Sequence, residues 1–164
     1  MALNSGFQGE LQHESGNTLK LLERLPEEKF SWKPHERSMA LGRLATHIAE
    51  IPHWVNVILA DDKYDIGKGF LRGNPPTKNE VIDIFHQYLS EAKSSLSTAT
   101  DDMLNANWSM LRNGEFQFGF PKKVAIRNIV LNHLIHHRGQ LSVYLRLLDV
   151  PIPGMYGPSA DDIR

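Results

Sequence analysis

The side chains with the most chemical capacity in this chain are its histidines. Eight occur in 164 residues, and four of them stand at positions 47, 133, 136 and 137. Neutral imidazole is a good ligand for divalent first-row metal ions. His133 and His137 are four residues apart, which on a helix places both rings on one face, about 40° apart and one turn distant. Two imidazoles so placed can share one ion. His136 is also one turn from His133, on the other flank, so spacing alone permits either neighbour as the second ligand. Cysteine is absent, which removes disulfides, thiolate ligands, Fe–S clusters and cysteine nucleophiles together. Any ion must therefore be held by nitrogen and oxygen.

The elements that would position these rings follow from hydrophobic periodicity. Phe7, Leu11, Thr18, Leu21, Leu22 and Leu25 recur at helical steps and describe a first helix that Leu25-Pro26 ends. Glu14 falls on the same face, where a carboxylate is costly to bury without a partner. It could face the ion as a fourth ligand, serve as a general base, or turn to solvent. Phe30 to Glu36 reads as an extended connector, and Ser38 is a reasonable N-cap for a second helix carrying Leu41, Leu44, Ile48, Ile51, Val55 and Ile58. His47 lies within that stripe, and Pro52 bends the helix about one turn later. His53 then points elsewhere.

Asp61 to Pro76, rich in Gly, Pro, Asp and Lys, predicts a long loop. Thr77 to Glu80 fits a capping box that opens a third helix with Ile82, Phe85, Leu89, Ala92, Leu96 and Ala99 on its apolar face. Residues 101 to 120 are the least regular part. Phe116, Phe118 and Phe120 alternate there, as in a short strand or extended flap. Trp108 and that flap could line a pocket or pack in the core. A long fourth helix is predicted from Pro121 to Leu148, with Gly139 inside it suggesting close packing. The segment from Val150, rich in Pro and Gly, should lie across the bundle.

Ile126, Val130, His133, His137, Gln140 and Tyr144 trace one line down the fourth helix, which favours His137 over His136 as the second ligand. His47 is the histidine outside that helix that sits centrally in an apolar stripe, so it is the expected third. Three inward histidines are hard to explain as ordinary core, because each needs partners for both ring nitrogens. Three histidines also leave the open position that a reactive metal needs. Gln140 could support a ligand through its amide, or pack at a dimer seam. Arg138 and Arg146 could pair with a carboxylate substrate or be solvated; His13, His35 and His86 are assigned to the surface.

Amphipathic helices joined by loops predict an all-α fold, a four-helix bundle, as a single domain over residues 1–164. The composition, 41% hydrophobic and 23% charged, is that of a globular chain. A formal net charge of -1 and the lack of a basic face argue against nucleic acid. The start lacks a basic segment followed by an apolar run, and no stretch approaches the roughly 18 apolar residues that span a bilayer. The expectation is a cytoplasmic protein without a membrane partner.

The run His133-Leu-Ile-His136-His137-Arg138-Gly139-Gln140-Leu141 followed by Tyr144-Leu145-Arg146 resembles the signature of the DinB / YfiT-like family of bacterial metal-binding bundles. Trp32-Lys33-Pro34 before Leu41-Gly42-Arg43-Leu44-Ala45-Thr46-His47, and Val150-Pro-Ile-Pro-Gly-Met-Tyr-Gly, are similar to that family too. The resemblance implies metal ligands at His47, His133 and His137. It also implies a four-helix fold, a homodimer and a divalent transition metal: nickel or zinc, with manganese or iron as further possibilities. Members include thiol-dependent transferases and hydrolases. Two functions follow as expectations. One is a metal-dependent enzyme that activates water or a small thiol, the thiol arriving with a small-molecule substrate because the chain has no cysteine. The other is a non-catalytic, metal-stabilised or metal-sensing bundle.

Overall fold

The computed structural model describes residues 2–69, 73 and 77–162. The first helix, α1 (Leu3–Leu22), buries Phe7, Leu11, Thr18, Leu21 and Leu22 as its stripe requires, and Glu14 with them. The second helical stretch is broken where Pro52 removes a backbone donor: α2 (Leu41–Glu50) passes through a 3-10 turn at Ile51–His53 into α3 (Trp54–Ala60). Ser38 does not cap it. Ala40 occupies the N-cap position without a side-chain bond. The connector caps the helix instead, because the Trp32 and Phe30 carbonyls accept from the amides of Leu41 (2.8 Å) and Gly42 (2.9 Å). A Cβ at residue 42 would stand 3.1 Å from the Phe30 side chain, which accounts for glycine at that close approach.

In the third long helix, α4 (Lys78–Thr98), the Thr77 hydroxyl accepts from the Glu80 amide (3.2 Å), the predicted N-terminal cap. It buries Val81, Phe85, Leu89, Ala92 and Leu96 against α1 and α2. A short α5 (Asp101–Asn105), capped by Thr100, follows.

The all-α expectation needs correction, because the chain is mostly helical but also holds a small three-stranded mixed sheet. Part of the expected loop is strand β1 (Lys63–Asp65), parallel to β2 (Asn107–Arg112), which pairs antiparallel with β3 (Glu115–Pro121). The alternating phenylalanines lie on β3, as a strand predicts. A 3-10 turn at Ile66–Lys68 follows β1, and residues 70–72 and 74–76 of that loop lie outside the described residues. The hairpin turns at Asn113 (φ 54°) and Gly114 (φ 84°), both left-handed, as in the tight turns that match strand twist. The Asp65 carboxylate accepts from the amides of Asn113 and Gly114 at 2.8 Å each, so β1 is tied to the hairpin tip. Trp108 is fully buried in the core.

The last long helix differs in its winding. After α6 (Lys122–Ala125) comes a π-helical segment, Ile126–Asn132, and then α7 (His133–Leu147). The face turned to the core runs through Ile126, Val130, Leu131, Leu134, Arg138, Leu141 and Leu145, with His137 at its edge. His133, Gln140 and Tyr144 are half-buried beside it and not on it. Gly139 is not a close-packing site, since a Cβ there would meet nothing within 4 Å. The C-terminal segment crosses the bundle as expected, with Ile152 and Met155 against the core. No helix among the described residues is long and apolar enough to cross a membrane.

Candidate metal centre

His47, one turn before the end of α2, meets His133 and His137 at the start of α7. One ligand nitrogen from each ring lies within 4.8 Å of the other two, a group that could hold a metal ion. Nε2 of His133 is 2.8 Å from Nε2 of His137 and 3.2 Å from Nε2 of His47.

The far side of two of these rings decides what those contacts can be. Nδ1–H of His133 donates to the Ile129 carbonyl (3.2 Å), and Nδ1–H of His137 donates to Oε1 of Gln140 (2.7 Å). Both acceptors are oxygens without protons, so each neutral ring carries its hydrogen on Nδ1 and presents a bare lone pair at Nε2. Lone pairs 2.8 Å apart repel unless a cation lies between them. Tetrahedral or octahedral coordination at about 2.1 Å asks for neighbouring nitrogens roughly 3.0 to 3.4 Å apart. The 3.2 Å contact lies in that range and the 2.8 Å contact just below it, so the three nitrogens are grouped as a site that could hold a divalent metal ion.

A proton is a poor substitute. Burial, then the neighbouring rings of His137 and His133, then Arg43, push His47 down to about 3. Burial and His137 push His133 to about 4, against the opposing pull of the Ile129 carbonyl. His137 is lowered too, chiefly by burial.

The π segment has a direct role here. In an α-helix the Ile129 carbonyl would receive the backbone amide of His133. That amide bonds to Val130 instead, and Ile129 accepts the imidazole. Gln140 extends the other arm, its Nε2–H donating to Nε2 of exposed His136 (3.1 Å). His136 thus stands behind a ligand and not among the ligands. Replacing Gln140 with leucine should lower metal affinity about 10 to 100-fold by freeing the His137 ring, measured by chelator competition. Unchanged affinity would remove Gln140 from the site.

Glu14 does not join this group. Its Oε2 pairs with Nη2 of Arg138 at 2.7 Å and accepts from the Tyr156 hydroxyl at 2.6 Å. Arg138 also reaches the Tyr156 hydroxyl and donates to the Glu14 carbonyl (2.9 Å). The cluster ties α1, α7 and the C-terminal segment together. Neither arginine of α7 is free for a substrate, since Arg146 pairs with Asp161 (2.6 Å). His13, His35 and His86 are exposed, and His53 lies against Tyr88 on α4.

A cleft of about 840 Å³ opens beside the histidine group, with His47, His133 and the exposed ring of His136 in its wall. Trp54, Ile66, Met110, Phe118 and Ile129 give it apolar surface. Strands β2 and β3, between the third and fourth long helices, supply one wall of the cleft through Met110, Arg112, Gln117 and Phe118.

A mostly helical bundle with a three-histidine group between its second and last long helices is the class that fold and site define. The chain belongs to the DinB family, whose profile matches residues 4–164. Among relatives, it is 22% identical over 154 residues to the uncharacterized protein YrdA of Bacillus subtilis (strain 168), covering 92% of this chain and 86% of that one. It is 28% identical over 133 residues to YjoA of the same organism, covering 79% and 80%. Among solved structures, a DinB-like protein from Bacillus cereus ATCC 10987 superposes with a TM-score of 0.70 at 25% identity, covering 93% of this chain and 97% of that one. The YjoA structure gives 0.71 at 20% identity, covering 90% and 96%, which shows the common fold.

Proposed function

We propose that this chain is a metal-dependent enzyme that holds a divalent first-row ion, nickel or zinc, on His47, His133 and His137 and acts on a small molecule admitted by the cleft. The observation that carries this reading is the convergence of three imidazoles, two with Nδ1 already committed, beside an 840 Å³ cleft whose wall includes His47 and His133. Such an ion supplies Lewis acidity that makes a water molecule or a small thiol nucleophilic near neutral pH, which suits hydrolysis or thiol transfer. Ile129 and Gln140 hold two rings in one tautomer, and Trp54, Met110 and Phe118 shed water from a bound molecule. The open cleft favours catalysis over a purely structural ion, which would be enclosed. The exposed Val143 and Leu147 of α7 suit a homodimer seam.

Protein purified without an affinity tag should contain a single transition-metal ion per chain by elemental analysis. A protein that takes up none, even after incubation with nickel and zinc, would overturn the reading. A pH test follows from the lowered histidines. Their folded values lie below the ordinary 6.5, so the unfolded chain binds more protons than the metal-free fold between about pH 6.5 and 4. Stability of metal-free protein should fall as pH drops through that window, read from denaturation midpoints at pH 7 and pH 5. A midpoint that rises instead would contradict the buried, neutral assignment.

A further inference from the structure

The cleft is chemically one-sided. Beside its apolar surface it is lined by Arg43, Arg112, Gln117, Asn128, Asn132 and the histidines, and no carboxylate reaches its wall. Every aspartate and glutamate of the chain lies among the described residues, so the residues left undescribed, 1, 70–72, 74–76, 163 and 164, add none.

The two arginines differ. Arg43 is one turn from His47 on α2 and is braced from behind by buried Glu50 (3.2 Å), which offsets its charge. Arg112 ends β2 at the cleft mouth and forms no ion pair among the described residues, whereas Arg127, Arg138 and Arg146 are each matched to a carboxylate. In a chain of net charge -1 an unmatched guanidinium on a concave, partly apolar wall concentrates positive potential where a ligand enters.

We propose that Arg112 is the anchor of a subsite for a small organic carboxylate, whose apolar body lies against Trp54, Met110 and Phe118 and whose reacting end is directed to His47 and His133. The last clause rests on the metal-enzyme reading above; the carboxylate subsite does not. A planar guanidinium with free donors matches a carboxylate in charge and in bidentate geometry. The volume accommodates a substrate of this size, since small-molecule sites occupy about 300 to 1,000 Å³. Asn128 and Asn132, on the π segment, are placed to bond polar groups along such a ligand.

The test uses 4-phenylbutanoate and its neutral amide, 4-phenylbutanamide, titrated into metal-free and zinc-loaded protein and into the Arg112→Gln variant. The carboxylate should bind metal-free wild-type protein at least about tenfold more tightly than the amide. Arg112→Gln should erase that preference while leaving amide binding unchanged. Equal binding of the two probes to wild type, or a preference that survives Arg112→Gln, overturns the proposal. A preference confined to zinc-loaded protein also overturns it, by placing the carboxylate on the metal. Failure of zinc to bind at all defeats the metal reading alone, because the metal-free comparison still decides the subsite.

Discussion

Replacing His133 with alanine should weaken metal binding by on the order of 10³-fold. Its Nε2 is the central donor, 2.8 Å from that of His137 and 3.2 Å from that of His47, so its loss leaves two rings on different helices. Apparent binding energies of about 10 to 16 kcal/mol for four-ligand zinc sites correspond to about 3 to 4 kcal/mol per ligand, or roughly two to three decades of affinity. Two controls separate ligand loss from misfolding. His136→Ala, which removes an exposed ring behind Gln140, should cost less than about tenfold. Metal-free His133→Ala should stay within about 1 to 2 kcal/mol of metal-free wild type, because relief of the opposed lone pairs offsets the Ile129 carbonyl left without its imidazole donor. The extra stability that added metal gives wild type should be absent from the variant. Affinity retained within tenfold by His133→Ala would take the residue out of the site.

Arg138→Met is the second large effect, and it acts on the fold. The Arg138 and Glu14 side chains are only 4% and 7% exposed, so removing the guanidinium leaves a carboxylate in the interior with the Tyr156 hydroxyl as its remaining side-chain donor. Breaking a buried pair from one side costs about 3 to 5 kcal/mol, whereas replacing both partners with apolar residues is often neutral. Urea denaturation should therefore show a deep loss for Arg138→Met and much of it restored in Arg138→Met/Glu14→Leu. A single variant within about 1 kcal/mol of wild type would show that water reaches the pair. Glu14→Gln should leave a metal titration unchanged, as expected of a residue whose carboxylate is bound to α7 and the C-terminal segment.

These two results bear on what could be read from residue types. The histidine group was legible because helical periodicity reports which side chains share a face, and an imidazole in an apolar stripe is conspicuous. The same logic placed Glu14 inside but could not say with whom. Its partners are 124 and 142 residues away in sequence, and nothing local to Glu14 signals them. Arg138 was weighed as a surface or substrate residue, although it shares the core face with Leu134, Leu141 and Leu145.

The sheet was half-legible. Alternating phenylalanines marked β3, and Asn113-Gly114 is the turn signal that would have completed the hairpin. The partner strand β1 pairs across more than forty residues, Lys63 with Ser109, and three residues carry no periodicity of their own. The cleft was therefore legible only in part: Phe118 of the alternating segment does line it, whereas Trp108 is buried in the core and the walls from β2 and Ile66 carried no local signal. The π winding of Ile126–Asn132 left no mark in residue types at all, and it displaced the inward line by enough to move His133 and Gln140 from the expected stripe to its flank.

That wide turn makes tolerance to a change in chain length depend on position. A π segment holds a residue more than α winding needs, so one deletion within 126–132 can be absorbed by rewinding, with the faces of α6 and α7 kept. With the deletion ahead of Ile129, that carbonyl stays four residues before His133, the His133 amide would recapture it, and the ring would lose the acceptor that fixes it. The same deletion between His133 and His137 has no slack to draw on and would swing the His137 ring by about 100° relative to His133, from one flank to the other and away from Gln140 and His47 as they now stand. The extra residue is thus a spare length of backbone whose removal would leave the bundle standing and release one imidazole.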